Sequence, residues 1–349
     1  MWLLLLAVLA GLYLLRRWLR EQQQVPGLTD KFVLVTGCDS GFGQLLAQQL
    51  DARGLRVLAA CLTEPGAARL RAAASPRLHT LLLDVTRSES VAAAATFVRE
   101  RVGDRGLWGL VNNAGLVHPV APNEWLRKED FAQVLDVNLL GLVDVTLAML
   151  PLVRRARGRI VNVASILGRI AFYGGGYCPS KYGVEAFSDS LRRELQPFGV
   201  HVAIVEPGYF HTGMTDISYN LKELERLWEQ ARPDVRESYG QPYYESCKER
   251  AAAGGQRTLP RSPCSSSPCS SSPSSPVREF FAESLRTRCS SNLALVTGCM
   301  EHALTAAHPR TRYSAGWDAR LRYIPLSYLP TALADRLLAP PLARPAQAP

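Results

Sequence analysis

Six short β-rich runs recur along the first two thirds of the chain: KFVLVTG from Lys31, RVLAACL from Arg56, HTLLLDV from His79, LWGLVNNAG from Leu107, GRIVNVAS from Gly158 and HVAIVEPG from His201. Each is followed by a segment long enough for a helix, which is the βαβ rhythm of a parallel sheet. The runs are nearly continuous in apolar residues rather than alternating, so both faces of the sheet must be covered by helices. The expectation is an α/β protein with one doubly wound parallel sheet. With 349 residues, 47% of them hydrophobic and 20% charged, the chain is long enough to bury such a core.

The motif LVTGC occurs twice, at Leu34–Cys38 and at Leu295–Cys299, and only the first copy continues with glycines, as TGCDSGFG. Gly37, Gly41 and Gly43 permit a tight strand-to-helix turn and close approach of a pyrophosphate to the amides that open the next helix. That helix is expected from about Phe42 to Arg53, ending at Gly54. The second copy runs on as TGCMEHALTAAH and is expected to be a helix packed on the core.

Tyr177 and Lys181 are four apart in YCPSK at the start of a predicted helix, so their side chains share a face. An ammonium within about 4–6 Å of a phenol lowers its pKa from near 10 by about 1–3 units, which makes the pair a candidate phenolate base. Ser165 lies twelve residues earlier, at the end of the GRIVNVAS strand, where ligands bind in open α/β sheets. A second YxxxK, Tyr244 with Lys248, has no such strand before it and reads as a surface coincidence.

The chain opens MWLLLLAVLAGLYLLRRWLR, an apolar run from Trp2 to Leu15 with Arg16, Arg17 and Arg20 behind it. Without a basic start or a cleavage site it reads as an uncleaved anchor over residues 1–20. Its length is short of the ~20 residues that span a bilayer, so spanning and lying in the interface are both open. The arginines behind the run place the main domain on the cytosolic side. The net charge of +9 is scattered without interleaved aromatics, which favours an anionic membrane surface over nucleic acid as a partner. The eight cysteines have neither disulfide-framework nor zinc spacing, and no metal site is expected.

After Gly208 the pattern changes. DISYNLKELERLWEQ is a helical segment with Ile217, Leu221, Leu224 and Leu227 on one face, while RTLPRSPCSSSPCSSSPSSP has too little apolar content to offset its chain entropy. The expected organisation is an anchor over 1–20, a core over 28–250 that includes the start of a substrate lid, a disordered insert over 251–276, and completion of the same domain with an apolar tail over 277–349. TRYSAG supplies one more strand.

TGCDSGFG, NNAG at Asn112–Gly115, Asn138 in DVNLLG, Ser165 and YCPSK together resemble the motif set of the short-chain dehydrogenases/reductases. GGGYCPSKYGVEAFSDSLRREL and HPRTRYSAGWDA are most similar to the microsomal retinol and hydroxysteroid dehydrogenases of that family. The resemblance runs from the N-terminal anchor to the tail and is broken mainly by the insert. It implies a Rossmann-like fold in the endoplasmic reticulum membrane and oxidation of a lipophilic alcohol, retinol or a 3α-hydroxysteroid, with NAD. Tyr177 would be the base, Ser165 would hold the substrate oxygen, Lys181 would tune the tyrosine and hold the nicotinamide ribose, and Asn138 would keep a relay water.

Cofactor contacts are implied for Gly37, Asp39, Ser40, Gly41 and Gly43 at the phosphate turn. Others are Asp84 near the adenine, Asn112 beside the adenosine half, and Thr212 near the carboxamide. Asp84 reads equally as a helix N-cap. NAD is favoured over NADP because Asp39 would repel a 2′-phosphate and no Arg or Lys sits in the glycine turn or just after the second strand. Tyr209 and Phe210 are candidate substrate contacts, and a homo-oligomer is a further expectation. The alternative is a catalytically silent cofactor- or lipid-binding relative, or a splice form whose lid the insert impairs.

Overall fold

The computed structural model describes residues 2–171, 174–213, 217–253, 290–338 and 343–348. Seven strands form one sheet in the order β3-β2-β1-β4-β5-β6-β7, every neighbouring pair parallel. They are β1 (Phe32–Thr36), β2 (Arg56–Cys61), β3 (His79–Leu82), β4 (Gly109–Asn112), β5 (Arg159–Val163), β6 (His201–Pro207) and β7 (Arg312–Ala315). All six early runs and TRYSAG became strands.

Alternate residues of each strand feed two different cores. Val33, Val35, Val57, Ala59, Val111, Val161 and Val205 face one side, with α2 (Gly41–Ala52) and α3 (Glu64–Ala72). Phe32, Leu34, Leu58, Leu110, Ile160 and Val202 face the other, against α4 (Ser88–Val102), α6 (Leu142–Arg155) and α7 (Tyr177–Leu195). Both faces being buried is the reason the strands read as unbroken apolar runs rather than alternating ones. Between β1 and β4 the connections leave in opposite directions, and the crevice of an open α/β sheet forms at that switch point, beyond the carboxyl ends of the strands.

The helix α2 ends as expected, with Gly54 at φ 88°, a conformation that favours glycine. α5 (Lys128–Leu135) continues through a π-helical turn, Asp136–Gly141, into α6. Lys128–Arg155 is the one helix, among the described residues, long and apolar enough to cross a membrane by composition. It buries Val134, Asn138, Val145, Thr146 and Met149 beside the sheet and is a core helix.

Three helices beyond the sheet, α8 (Ile217–Gln230), α9 (Pro233–Tyr239) and α10 (Gln241–Ala253), build a satellite cluster around Trp125. Leu224 and Leu227 are buried there, as their shared face requires. Tyr244 belongs to the same cluster: it is 4% exposed and stacks on Trp228 at 4.9 Å. That corrects its reading as a surface residue. Aromatic packing decides its burial, which a YxxxK spacing cannot report.

The helix α10 runs to Ala253, three residues into the expected insert. The rest of the insert, and its completion up to Cys289, lie outside the described residues. The second LVTGC lies in α11 (Ala294–Thr305), whose Val296, Met300, Ala303 and Leu304 enter the first core.

At the N-terminus, α1 (Trp2–Glu21) leaves Leu5, Val8, Leu9, Leu12, Tyr13, Leu14, Leu15, Trp18 and Leu19 each at least half exposed. Its C-terminal end is tied down. Glu21 pairs with Arg17 and Arg310, and an antiparallel bridge joins Gln24 to Ala306.

Candidate active site

The glycine turn follows β1. Gly37 and Gly41 have φ of 70° and 61°, and a Cβ on Gly43 would collide with the Gly37 carbonyl and lie 2.6 Å from Asn113 Nδ2. Ser40 caps α2 without a side-chain hydrogen bond, and the first turn of the helix carries no acidic residue. The opening amides of α2 are therefore left to an external acceptor, and this cradle fits the pyrophosphate of a dinucleotide. Gly43→Ala is expected to abolish cofactor binding while the protein still folds, checked by cofactor titration of intrinsic fluorescence alongside thermal unfolding.

Asp39, in the β1–α2 turn, packs against the residues that follow β2. Its carboxylate accepts from Leu62 N at 2.7 Å, Thr63 N at 3.0 Å and Thr63 Oγ1 at 2.7 Å. The residue thus braces the β2–α3 turn while holding a negative charge beside the turn's rim. Arg71, one of two arginines of α3, is taken up by Glu64 and Thr80. Thr212 faces the glycine turn from the opposite side, its Cγ2 3.8 Å from the position of a Gly41 Cβ.

One alternative reading and one expected contact are corrected here. Asp84 is not the N-cap of α4, a position held by Arg87. Its Oδ1 accepts from the Thr86 amide at 3.0 Å and hydroxyl at 2.6 Å, and those bonds hold its carboxyl below the usual range. Asn112 does not present its carboxamide to the crevice. Nδ2 donates to Thr146 Oγ1 and Asn162 Oδ1, both at 2.8 Å, inside a buried network that continues to Ser188. Its neighbour Asn113 meets the glycine turn, donating from Nδ2 to the carbonyls of Thr36 and Gly37. Strand alternation explains the exchange, since adjacent residues point to opposite faces.

Ser165, Tyr177 and Lys181 are brought together beyond β5. Ser165 opens a short 3₁₀ turn, Ile166–Gly168, and accepts from Leu167 N at 3.2 Å. Its hydroxyl faces the Tyr177 phenol and favours the phenolate. Lys181 is 5% exposed, donates to the Val163 carbonyl at 2.8 Å and lies 5.7 Å from the centre of the Tyr177 ring. Asn138 flanks the same spot across Gly115: a Cβ on Gly115 would be 3.1 Å from Asn138 Oδ1 and 3.7 Å from Lys181 Nζ.

The Asn138 side chain is fully engaged as a donor. Nδ2 donates to the Leu116 carbonyl at 2.8 Å and to Ser180 Oγ at 3.0 Å, while Oδ1 accepts from Leu116 N at 2.8 Å.

The expected depression of the tyrosine pKa by Lys181 is not found. Burial pushes the Tyr177 phenol up to about 12, offset in part by the Ser165 hydroxyl. Burial likewise pulls Lys181 down to about 8, opposed by the Glu185 carboxylate. Desolvation dominates both because each charged form must exist away from water. The sign for activity follows directly. A base with a raised pKa gains its reactive form as pH increases, so alcohol oxidation is expected to rise from pH 6 toward 8. The rise should flatten above about 8, where Lys181 sheds its proton. Initial rates of oxidation across pH 6–10 check this, and a rate that falls between pH 6 and 8 would contradict it.

Glu185 was not singled out in the sequence, yet it connects the pair to the rest of the fold. Arg312 of β7 bonds Glu185, Glu206 of β6 at 3.1 Å and Asp189 of α7 at 2.7 Å; Arg169 also reaches Glu206 at 3.4 Å. Its only sequence signal was the i,i+4 spacing from Lys181.

Beside the phenol lies an apolar cluster of Ile166, Leu167, Ile170, Cys178, Tyr323 and Leu326, with Tyr177, Tyr209, Leu337 and Leu338 packed on it. Tyr209 packs 5.9 Å from Tyr323 and stays on this side. Phe210 does not. It is 3% exposed and meets Phe42 edge-on at 5.7 Å in the core under α2, which corrects its reading as a substrate contact.

Residues 31–221 match the short chain dehydrogenase family. The whole chain is 57% identical over 348 residues to 17-beta-hydroxysteroid dehydrogenase type 6 of Homo sapiens, covering 100% of both chains. It is 56% identical over 338 residues to Retinol dehydrogenase 16 of Homo sapiens, covering 97% of this chain and 96% of that one. Among solved structures, levodione reductase superposes with a TM-score of 0.53 at 26% identity, over 65% of this chain and 90% of that chain. With a parallel sheet, a glycine turn at its switch point and serine, tyrosine and lysine gathered at its carboxyl edge, the chain belongs to the short-chain dehydrogenase family.

Proposed function

We propose that this protein is a membrane-attached dehydrogenase that oxidises the hydroxyl of a retinol or a 3α-hydroxysteroid to the carbonyl with NAD. The observation that carries the reading is the buried Tyr177 phenol at the edge of an apolar cluster, facing Ser165 and with Lys181 5.7 Å from its ring centre. The family and the fold imply a nicotinamide cofactor, which when bound accepts the hydride from the carbinol carbon. Tyr177 Oη takes the hydroxyl proton of the substrate. The Ser165 hydroxyl donates to the same oxygen and stabilises its developing charge. The Lys181 ammonium favours the phenolate as it forms, and the hydrogen bonds of Asn138 keep the backbone around Leu116 and Ser180 in register.

NAD over NADP is supported by the Asp39 charge beside the residues that follow β2 and by the engagement of Arg71 with Glu64. Gly37, Ser40, Gly41 and Gly43 would hold the pyrophosphate, Asp84 and Thr212 would flank the two ends of the cofactor, and Tyr209 would line the substrate side. The names of the two relatives support both a steroid and a retinoid alcohol. An apolar helix whose Leu5, Val8, Leu9 and Leu12 are at least half exposed, with three arginines behind it, supports an anchor in the endoplasmic reticulum membrane, the main domain cytosolic. Exposed Leu140, Leu147 and Tyr182 support association of two copies.

The test is a panel of retinols and hydroxysteroids with NAD and with NADP, run on membranes that express the full chain. Faster turnover with NADP would overturn the cofactor assignment. Cofactor binding without turnover of any alcohol in the panel would mark the protein as catalytically silent.

A further inference from the structure

At the amino edge of the sheet, opposite the glycine turn, lies a group of basic side chains without matching acids among the described residues. Arg159 opens β5, His201 opens β6, and Lys31 immediately precedes β1. The register Val33↔Gly109↔Arg159↔His201, with strand alternation, puts Lys31, Arg159 and His201 on the face covered by α11. β4 contributes Gly109 at this level and so adds no side chain of its own.

Trp108 fills part of that gap, donating from Nε1 to the Leu304 carbonyl at 3.0 Å. Lys31 Nζ is 3.7 Å and the Arg159 guanidinium 4.9 Å from its ring centre. Arg159 is 4% exposed, and its Nε and Nη1 have no hydrogen-bond partner. Among the described residues no carboxylate forms an ion pair with Lys31, Arg159, His201 or His308.

The surrounding groups do not make up the deficit. Asp30 acts on Lys31 alone, and the Tyr313 hydroxyl facing Arg159 is already bonded to His302 and the Arg310 amide. Glu21 is held by Arg17 and Arg310. His308 stands on the far side and meets Arg20 Nη2 at 3.3 Å, so the rim is cationic too. Burial and then mutual repulsion depress Lys31 and His201, and burial draws Arg159 down to about 10. A buried guanidinium with open donors and cationic neighbours is costly unless an anion completes it.

We propose that Arg159, Lys31 and His201, with His308 and Arg20 at the rim, bind a phosphate group. A guanidinium suits this role because its forked donors match phosphate oxygens. The place has a meaning in the architecture. The last turn of α1 docks here through Arg20 and Glu21, and Val25 N donates to the Thr305 carbonyl at 2.8 Å. The phosphate comes from a lipid headgroup beside that helix or from solution, and the site is remote from Tyr177 at the other edge of the sheet.

The experiment uses the full chain in maltoside micelles and follows the thermal unfolding midpoint. One arm adds inorganic phosphate against chloride at matched ionic strength; the other dopes the micelles with phosphatidic acid against diacylglycerol. A rise of about 5 °C at a hundredfold excess over Kd is expected in at least one arm. A rise with phosphatidic acid alone identifies the headgroup, and a rise in both shows that free phosphate suffices. Arg159→Met removes the rise and His201→Ala reduces it; the latter, at an exposed position, serves if Arg159→Met fails to fold. No rise in either arm, or a rise that persists in both variants, overturns the proposal.

Discussion

Tyr177→Phe is expected to lower single-turnover hydride transfer by about a thousandfold, the scale of a lost general acid–base group, with cofactor affinity nearly unchanged. The substitution removes one oxygen from a ring held against the apolar cluster, and the glycine turn that would bind the pyrophosphate is built by other elements. The Ser165 hydroxyl still accepts from Leu167 N and therefore keeps its orientation. Tyr244→Phe is the matched comparison. It keeps the ring stacked on Trp228 in the satellite cluster and is expected to turn over normally. Near-normal transfer in Tyr177→Phe together with loss in Tyr244→Phe would put the chemistry at the other YxxxK.

Arg312→Met is expected to destabilise the fold by about 3–5 kcal/mol, the range for removing one partner from a buried ionic cluster. Arg312 is the cation common to Glu185, Glu206 and Asp189, and the first two are almost fully buried. Methionine fills much of the volume but leaves those carboxylates facing one another, with only Arg169 still reaching Glu206. Because Glu185 is one turn from Lys181, the damage should also reach the active site. Urea unfolding in detergent measures the stability. Protonation of the abandoned carboxylates would relieve their repulsion, so the deficit should shrink as pH falls below 7, near where Glu185 already titrates. A variant as stable as the parent at pH 8 would show that the cluster is not a structural keystone.

These two residues differ in how openly the sequence announced them. Tyr177 stood in a short local pattern, and its neighbour Ser165 closed a strand that could be recognised by its composition. Arg312 is one arginine among many, in a strand reached only after the insert, and its three partners come from β6 and α7. Nothing local distinguishes an arginine that holds three carboxylates from one that lies in water.

Distance along the chain was not the only obstacle. Asn112 and Asn113 are adjacent and chemically identical, yet one lies inside the sheet network and the other holds the glycine turn. Phe210 follows Tyr209 directly but points into the core beneath α2. In both pairs the side-chain direction depends on where the strand ends and which face each residue inherits.

By itself the sequence determined the parallel sheet, the phosphate-binding turn and the helix that bears Tyr177 and Lys181. Those features rest on apolar periodicity, glycine's backbone freedom and the four-residue repeat of a helix face, all properties of neighbouring residues. Only the tertiary structure decided that burial raises the Tyr177 phenol, that Tyr244 is core, and that Arg159 is enclosed without an acid among the described residues. Burial and charge pairing are set by segments far apart in the chain, so they exist only once the sheet has brought those segments together.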